Sequence, residues 1–170
     1  MIRIEKISEV HRQAFLKASN QSIKLHADWV TPALDNASFD KHLEKYKDDR
    51  NYSYVVMHND THLTGCINLN EIVRGALQSA YMAYYAFSPH EGKGFMSKAM
   101  RLVISEAFSV LKLHRLEANI QPDNEPSVNL VRSLGFRREG FSEKYLQING
   151  VWQDHERYAL RSEEFALESA

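Results

Sequence analysis

The chain is short of cysteine, proline, glycine and net charge. Its one cysteine, Cys66, excludes an internal disulfide. Basic and acidic side chains nearly cancel, 21 against 22, for a formal net charge of -1. That balance excludes a global field that would gather nucleic acid or an anionic membrane, so any charged ligand is met locally. No apolar run approaches the roughly 18 residues that span a bilayer, and Met1-Ile2-Arg3-Ile4-Glu5 lacks the apolar stretch of a secretory signal. A cytoplasmic, reducing setting with no membrane partner is expected. No repeat or low-complexity tract interrupts the chain. With 44% hydrophobic and 25% charged residues, the 170 residues read as one globular domain, 1–170, with a substantial core.

What is present reads as alternating strands and helices. "IRIEKI", residues 2 to 7, alternates as a strand does, and Ser8 is placed to cap a helix running to about Asn20. Residues 21 to 36, containing "HADWVTP", read as an irregular loop with an exposed Trp29, followed by a helix from Ser38 to about Lys47. Residues 52 to 58 and 62 to 70 form a hairpin across Asn59 and Asp60. A tyrosine-rich strand follows from about 78 to 87. A helix over about 93 to 111 carries Met96, Met100, Val103, Ala107 and Leu111 on one stripe. Strand 115 to 120, a short helix with Pro126 in its first turn that stops at Gly135, and strands 137 to 148 and 151 to 160 around Asn149-Gly150 complete the chain. The order β-α-α-β-β-β-α-β-α-β-β predicts an α/β (α+β) fold: a mixed, mostly antiparallel sheet of about seven strands with helices on both faces.

Two of the seven glycines flank Lys93 in "SPHEGKGFMSKAM", residues 88 to 100, where a strand hands over to a helix. The first turn of a helix has N–H groups without internal partners and a partial positive charge, so a nearly bare backbone there suits an anion. A mononucleotide P-loop is excluded, because Phe87 stands where its first glycine belongs and Gly94 where its Ser or Thr belongs. A dinucleotide fingerprint is excluded by Ser97 at the third glycine. A diphosphate site on the amides of Gly92, Lys93, Gly94, Phe95, Met96 and Ser97 remains, beside the plainer reading of a tight turn into the helix.

"EGKGFM" after the tyrosine-rich strand, then "NEPS" and "LGF", resemble the coenzyme A motifs of the GNAT N-acetyltransferases. Glu91 stands where that family usually has Gln or Arg, Gly94 matches its first required glycine, and Met96 replaces its last small residue. Residues 124 to 160 are similar to the C-terminal part of the ribosomal-protein-alanine N-acetyltransferases. The resemblance implies acetyl-CoA as co-substrate, with its pyrophosphate on residues 92 to 97, its pantetheine on the backbone of Ala86, Phe87 and Ser88, and Asn124 as a further coenzyme contact. It implies that strands 78 to 87 and 115 to 120 splay to admit the thioester. It makes Ser127 the candidate acid for the leaving thiolate, and Trp29 and Tyr84 candidate acceptor contacts. Asn124 and Ser127 also read as ordinary helix-start residues.

The family's strand glutamate has no counterpart, since Leu146 stands there, and Glu117, Glu143, Asp154, His155 and Tyr84 remain candidate bases by position. His58 and His62 have i, i+4 spacing but bracket a turn, so no metal is expected. The acceptor is expected to be a protein N-terminus, with a ribosomal protein in view; a small amine (polyamine or aminoglycoside) is the alternative. An α-amine, with pKa about 7.7 to 8.0, is neutral in roughly one molecule in ten at pH 7, far more than lysine. The loop from 21 to 36 has only Asp28 and Asp35 as acids, which favours a peptide over a polycation. A coenzyme-binding module without turnover is a third reading, motivated by Glu91 and Met96. A monomer or homodimer is expected.

Overall fold

The structure, a computed structural model, describes residues 1–168. Residues 169–170 of the expected unit lie outside the described residues. Strand β1 (Ile2–Lys6) leads through a 3-10 turn (Glu9–His11) into helices α1 (Arg12–Gln21), α2 (Ile23–His26) and α3 (Asn36–Lys45). Then come β2 (Tyr52–His58), β3 (His62–Val73), β4 (Ser79–Ala86), α4 (Phe95–Ser109), β5 (Arg115–Ile120), α5 (Glu125–Ser133), β6 (Arg137–Ile148), β7 (Val151–Arg161) and α6 (Ser162–Glu168). The seven strands form one sheet in the order β1-β2-β3-β4-β5-β7-β6. Only β4 and β5 run parallel; every other neighbouring pair is antiparallel.

Both expected tight hairpins form where the sequence carries residues that tolerate positive φ. Asn59 and Asp60 have φ of 50° and 62°, and Asn149 and Gly150 have 50° and 79°. Differences concentrate at helix ends. Ser38 is not the start of α3: Asp35 caps it, accepting the Ser38 amide at 2.8 Å, and Ser38 is the third helical residue of that capping box. Ser8 caps a 3-10 turn rather than α1 itself, and its amide donates to His11 Nδ1 at 3.1 Å. The expected loop 21 to 36 contains the single-turn α2, too short for a periodic pattern to announce. The terminal α6 was likewise not expected from the sequence.

Helices cover both faces. On one, Met100, Val103, Ile104 and Ala107 of α4 and Val131 of α5 are fully buried against Tyr54, Val56, Ile67, Leu69 and Leu116. On the other, Phe15 of α1 and Phe39 of α3 pack on Val55, Cys66 and Phe87, with Phe15 ring centroids 5.3 Å from both Phe39 and Phe87. Successive residues of β2 therefore serve opposite cores, which is why its sequence "YVVM" is apolar without alternation.

Candidate active site

Pairing between β4 and β5 is limited to Ser79↔Arg115, Ala80↔Leu116 and Tyr81↔Glu117. Beyond Tyr81 the two strands part, because each stays with its other neighbour: β4 pairs with β3 as far as Ala86, and β5 pairs with β7 as far as Ile120. The wedge between them opens into a cavity of about 540 Å³.

One wall of the cavity is the end of β4 and another is the loop into α4. Gly92 and Gly94 have φ of 72° and 74°, conformations that a side chain would strain, and a Cβ at either would meet no atom within 4 Å. Their glycine character is thus required by the turn, and it leaves open space beside the backbone. Gly94 is the N-cap of α4, whose first internal bond runs from the Lys98 amide to the Gly94 carbonyl at 3.3 Å. The first-turn amides of Phe95, Met96 and Ser97 precede that bond and have no intrahelical acceptor. Open space, free amides and the positive end of a 15-residue helix are what a diphosphate needs.

The split edge of β4 offers backbone groups as well. The Phe87 amide donates to the Thr64 carbonyl on β3 at 2.9 Å, so ladder alternation turns the Tyr84 and Ala86 amides the other way, toward the cavity. Phe87 itself is fully buried in the second core, and the Ser88 amide is taken by Ser22 Oγ at 2.9 Å. The Ala86 carbonyl accepts from His26 Nε2 at 2.7 Å. Of the residues singled out from the sequence, Ala86, Gly92, Gly94, Phe95, Met96, Ser97, Asn124, Ser127, Tyr84 and Trp29 line the cavity, while Phe87, Ser88 and Lys93 do not.

Met96 occupies its position because β3 makes room for it. A Cβ on Gly65 would come within 2.5 Å of Met96 Sδ, so that glycine is the seat of the methionine. Glu91 is exposed and accepts from Ser88 Oγ at 3.3 Å, which draws its charge to the rim of the cavity.

Asn124 caps α5, its Oδ1 accepting from the Ser127 amide at 3.4 Å. Tyr84 reaches across from β4 and donates its hydroxyl to the Ser127 carbonyl at 3.1 Å. Burial pushes the Tyr84 phenol well above its ordinary value, and a side-chain hydrogen bond with Ser127 opposes this. Trp29 is half-buried rather than exposed, because its loop is tied down. Gln121 Nε2, just past β5, donates to the Asp28 carbonyl at 2.9 Å, and Asn149 Nδ2 in the β6–β7 turn donates to the Ala27 carbonyl at 2.6 Å.

His26, Gln121 and His90 also belong to the cavity wall and were not singled out from the sequence. "HADW" placed His26 beside Trp29, but only the sheet brings it to Ala86, 60 residues away. Burial lowers the His26 pKa, although its bond to Ala86 and the charge of Glu91 oppose this. Among the candidate bases, Glu117 is held by Arg115 Nε at 2.7 Å and Asp154 accepts the Lys144 amide at 2.8 Å. Neither lines the cavity, nor does the exposed Glu143; Tyr84 and His155 do. His58 stacks on Phe95 with centroids 4.4 Å apart, and among the described residues no group of three or more His, Cys, Asp or Glu could hold a metal. No described helix is long and apolar enough to cross a membrane.

Residues 2–137 match the family model described as an acetyltransferase (GNAT) domain. A probable N-acetyltransferase of Bacillus subtilis, YjcK, is 38% identical over 134 residues, 78% of this chain and 74% of that protein. The [ribosomal protein uS5]-alanine N-acetyltransferase of Escherichia coli is 36% identical over 98 residues, 58% of this chain and 50% of that protein. The spermidine N(1)-acetyltransferase of Vibrio cholerae is 30% identical over 153 residues, 87% of each. Among solved structures, Mycobacterium smegmatis RimJ in complex with CoA-disulfide superposes with a TM-score of 0.86 at 24% identity, over 96% of this chain and 83% of that one. The V. cholerae spermidine N-acetyltransferase in complex with CoA and spermine does so at 0.83 and 21% identity, over 97% and 98%.

Proposed function

Because this chain belongs to the GNAT family of N-acetyltransferases, we propose that it transfers the acetyl group of acetyl-CoA to the N-terminal α-amine of a protein, a ribosomal protein being the proposed acceptor. The diphosphate would lie on the amides of Phe95, Met96 and Ser97, beside Gly92 and Gly94. The pantetheine arm would run along the split edge of β4, where the Tyr84 and Ala86 amides are turned toward the cavity, which moves the contact inward from Phe87 and Ser88. Ser127, across from that edge on α5, is the proposed proton donor to the departing thiolate. A shared wall keeps coenzyme and acceptor together, so attack becomes effectively unimolecular once both are bound.

The observation that carries the choice of acceptor is the charge of the cavity wall. Among the described residues, Glu91 is its one carboxylate; the rest of the wall is mainly apolar and neutral polar, including Leu25, Trp29, Val30 and Met82. A polyamine brings several positive charges, and burying each without a paired anion costs several kcal/mol, on the order of the penalty for an unpaired buried ion. A peptide α-amine brings one charge that can be shed before reaction, followed by a backbone the neutral wall accepts. The relation to the V. cholerae spermidine enzyme keeps the polyamine reading in the comparison. Thiol release from acetyl-CoA should be measured with peptides beginning in alanine, serine or methionine and with spermidine. Faster release with a peptide is expected; release confined to spermidine refutes the acceptor assignment, and coenzyme binding without release from any acceptor refutes turnover.

A further inference from the structure

Acetyl transfer to an amine needs a base, and of the five sequence candidates Tyr84 and His155 line the cavity while Glu117, Glu143 and Asp154 do not. We propose that His155 is the general base, accepting the amine proton at Nε2. His155 is 3% exposed, yet it lines the cavity. It immediately precedes the stretch of β7 that pairs with β5, whose last register is Ile120↔Glu156, and therefore sits at the open end of the wedge. Its Nδ1 lies 2.9 Å from the Gln153 carbonyl. A carbonyl can only accept, so Nδ1 carries the proton and, in the neutral ring, Nε2 carries the lone pair. Nε2 has no hydrogen bond among the described residues and is not one of the sealed, unpartnered atoms, so its lone pair opens on the cavity. His26 is arranged the other way: its Nε2–H is spent on Ala86, and its free Nδ1 is sealed from solvent.

The neighbouring titratable groups do not compete for the role. Tyr145 of β6 meets the His155 ring edge-on, with centroids 6.3 Å apart. Tyr84 and Tyr85 of β4 are held as neutral phenols by burial. His90 and Glu91 stand on the loop before α4, and Glu91 is already engaged by Ser88. In the step, the acceptor ammonium gives one proton to Nε2. The freed nitrogen pair forms a C–N bond to the thioester carbon, and the C–S bond then breaks with its electron pair leaving on sulfur. Ser127 gives its hydroxyl proton to the thiolate and regains one from the second N–H, while the first passes from His155 to solvent, which balances amide, thiol and one released proton.

The base is required for any protonated amine, so the inference rests on acetyl transfer and not on the peptide assignment. The test compares wild type, His155→Gln and His155→Ala with two acceptors of one sequence: an ordinary α-amine peptide, and one whose terminus is an aminooxy group, neutral at pH 7. If spermidine proves to be the acceptor, the pair becomes spermidine and an aminooxy analogue, so failure of the acceptor assignment leaves this test standing. The variants should lose about 100-fold in kcat/KM with the amine. They should lose less than about 3-fold with the aminooxy acceptor, which has no proton to shed before attack. Coenzyme affinity should stay within about 2-fold. The acidic limb of the wild-type amine profile should lie below the amine's own titration, about 7.7 to 8.0, and should move up to it in His155→Gln. Equal losses with both acceptors would reveal a structural role and overturn the proposal, as would unchanged rates. Should both variants fail to fold by thermal melt, wild type alone decides, since an amine limb coinciding with the amine's own titration sinks the idea.

Discussion

Gly65→Ala is expected to damage stability and the coenzyme site together, by two separable contacts. The new Cβ would stand 2.5 Å from Met96 Sδ and 2.9 Å from the Tyr85 carbonyl oxygen, against an optimal carbon contact near 3.5 to 4.0 Å. The sulfur is near the end of a flexible side chain and can swing aside. The carbonyl belongs to the Cys66↔Tyr85 ladder position and can move only if β4 moves. Overpacking of this kind costs about 1 to 3 kcal/mol, which for a chain of this size lowers Tm by about 2 to 12 °C. Displacing Met96 also disturbs the first turn of α4, so coenzyme affinity should fall as well. In the double variant Gly65→Ala/Met96→Ala the sulfur clash is gone while the carbonyl clash stays. The double-mutant cycle should therefore show a favourable coupling of about 0.5 to 2 kcal/mol, with incomplete recovery. Melting curves for the four proteins, with calorimetric titration of CoA into each, provide the measurement. Additive effects, or a Gly65→Ala protein as stable as wild type, would refute the idea that Gly65 is the seat of Met96.

Three further outcomes are expected. Ser127→Ala should slow turnover by about 10- to 1,000-fold while CoA affinity changes little; single-turnover kinetics beside calorimetry checks this, and an unimpaired rate removes Ser127 from the mechanism. Gly94→Ala places a side chain at a φ of 74° and should cost about 1 to 2 kcal/mol of stability even though its Cβ meets nothing, with weaker CoA binding as its second sign; a melt matching wild type contradicts the turn argument. His42, on α3, is desolvated and its pKa is lowered to about 4. The unfolded chain therefore takes up this proton near pH 6.5 and the folded chain only near 4. Stability from this group is full above pH 6.5 and is lost as pH falls toward 4, by up to about 3 kcal/mol. Urea titrations of wild type and His42→Gln across that range should differ in slope, and parallel curves would rule His42 out as the cause.

The functional lesson lies in how the wedge is assembled. Among the described residues β4 and β5 are the single parallel pair, and they hold together over only three registers before antiparallel partners draw them apart. Everything proposed for catalysis follows from that opening: a coenzyme edge on β4, a donor on α5, an acceptor loop pinned by Gln121 and Asn149, and a histidine on β7 at the open end.

Local patterns in the sequence placed all seven strands, although β3 runs three residues past its expected end, because apolar or alternating runs bounded by the Asn59-Asp60 and Asn149-Gly150 turns are short-range signals. They also determined α4, its buried stripe and the two glycines before it, since positive φ at a helix entrance is a backbone requirement that few residues meet. Tertiary structure alone decided which distant groups share the cavity. His26 reaches Ala86 across 60 residues and Asn149 reaches Ala27 across 122, contacts whose residues carry no periodicity and whose partners are set by sheet order. The same holds for Met96, which departs from its motif in sequence yet fits because a glycine 31 residues earlier gives it space. For His155, sequence offered a titratable side chain near a strand end; only folding fixed the Gln153 carbonyl against one ring nitrogen and put the residue in the cavity wall.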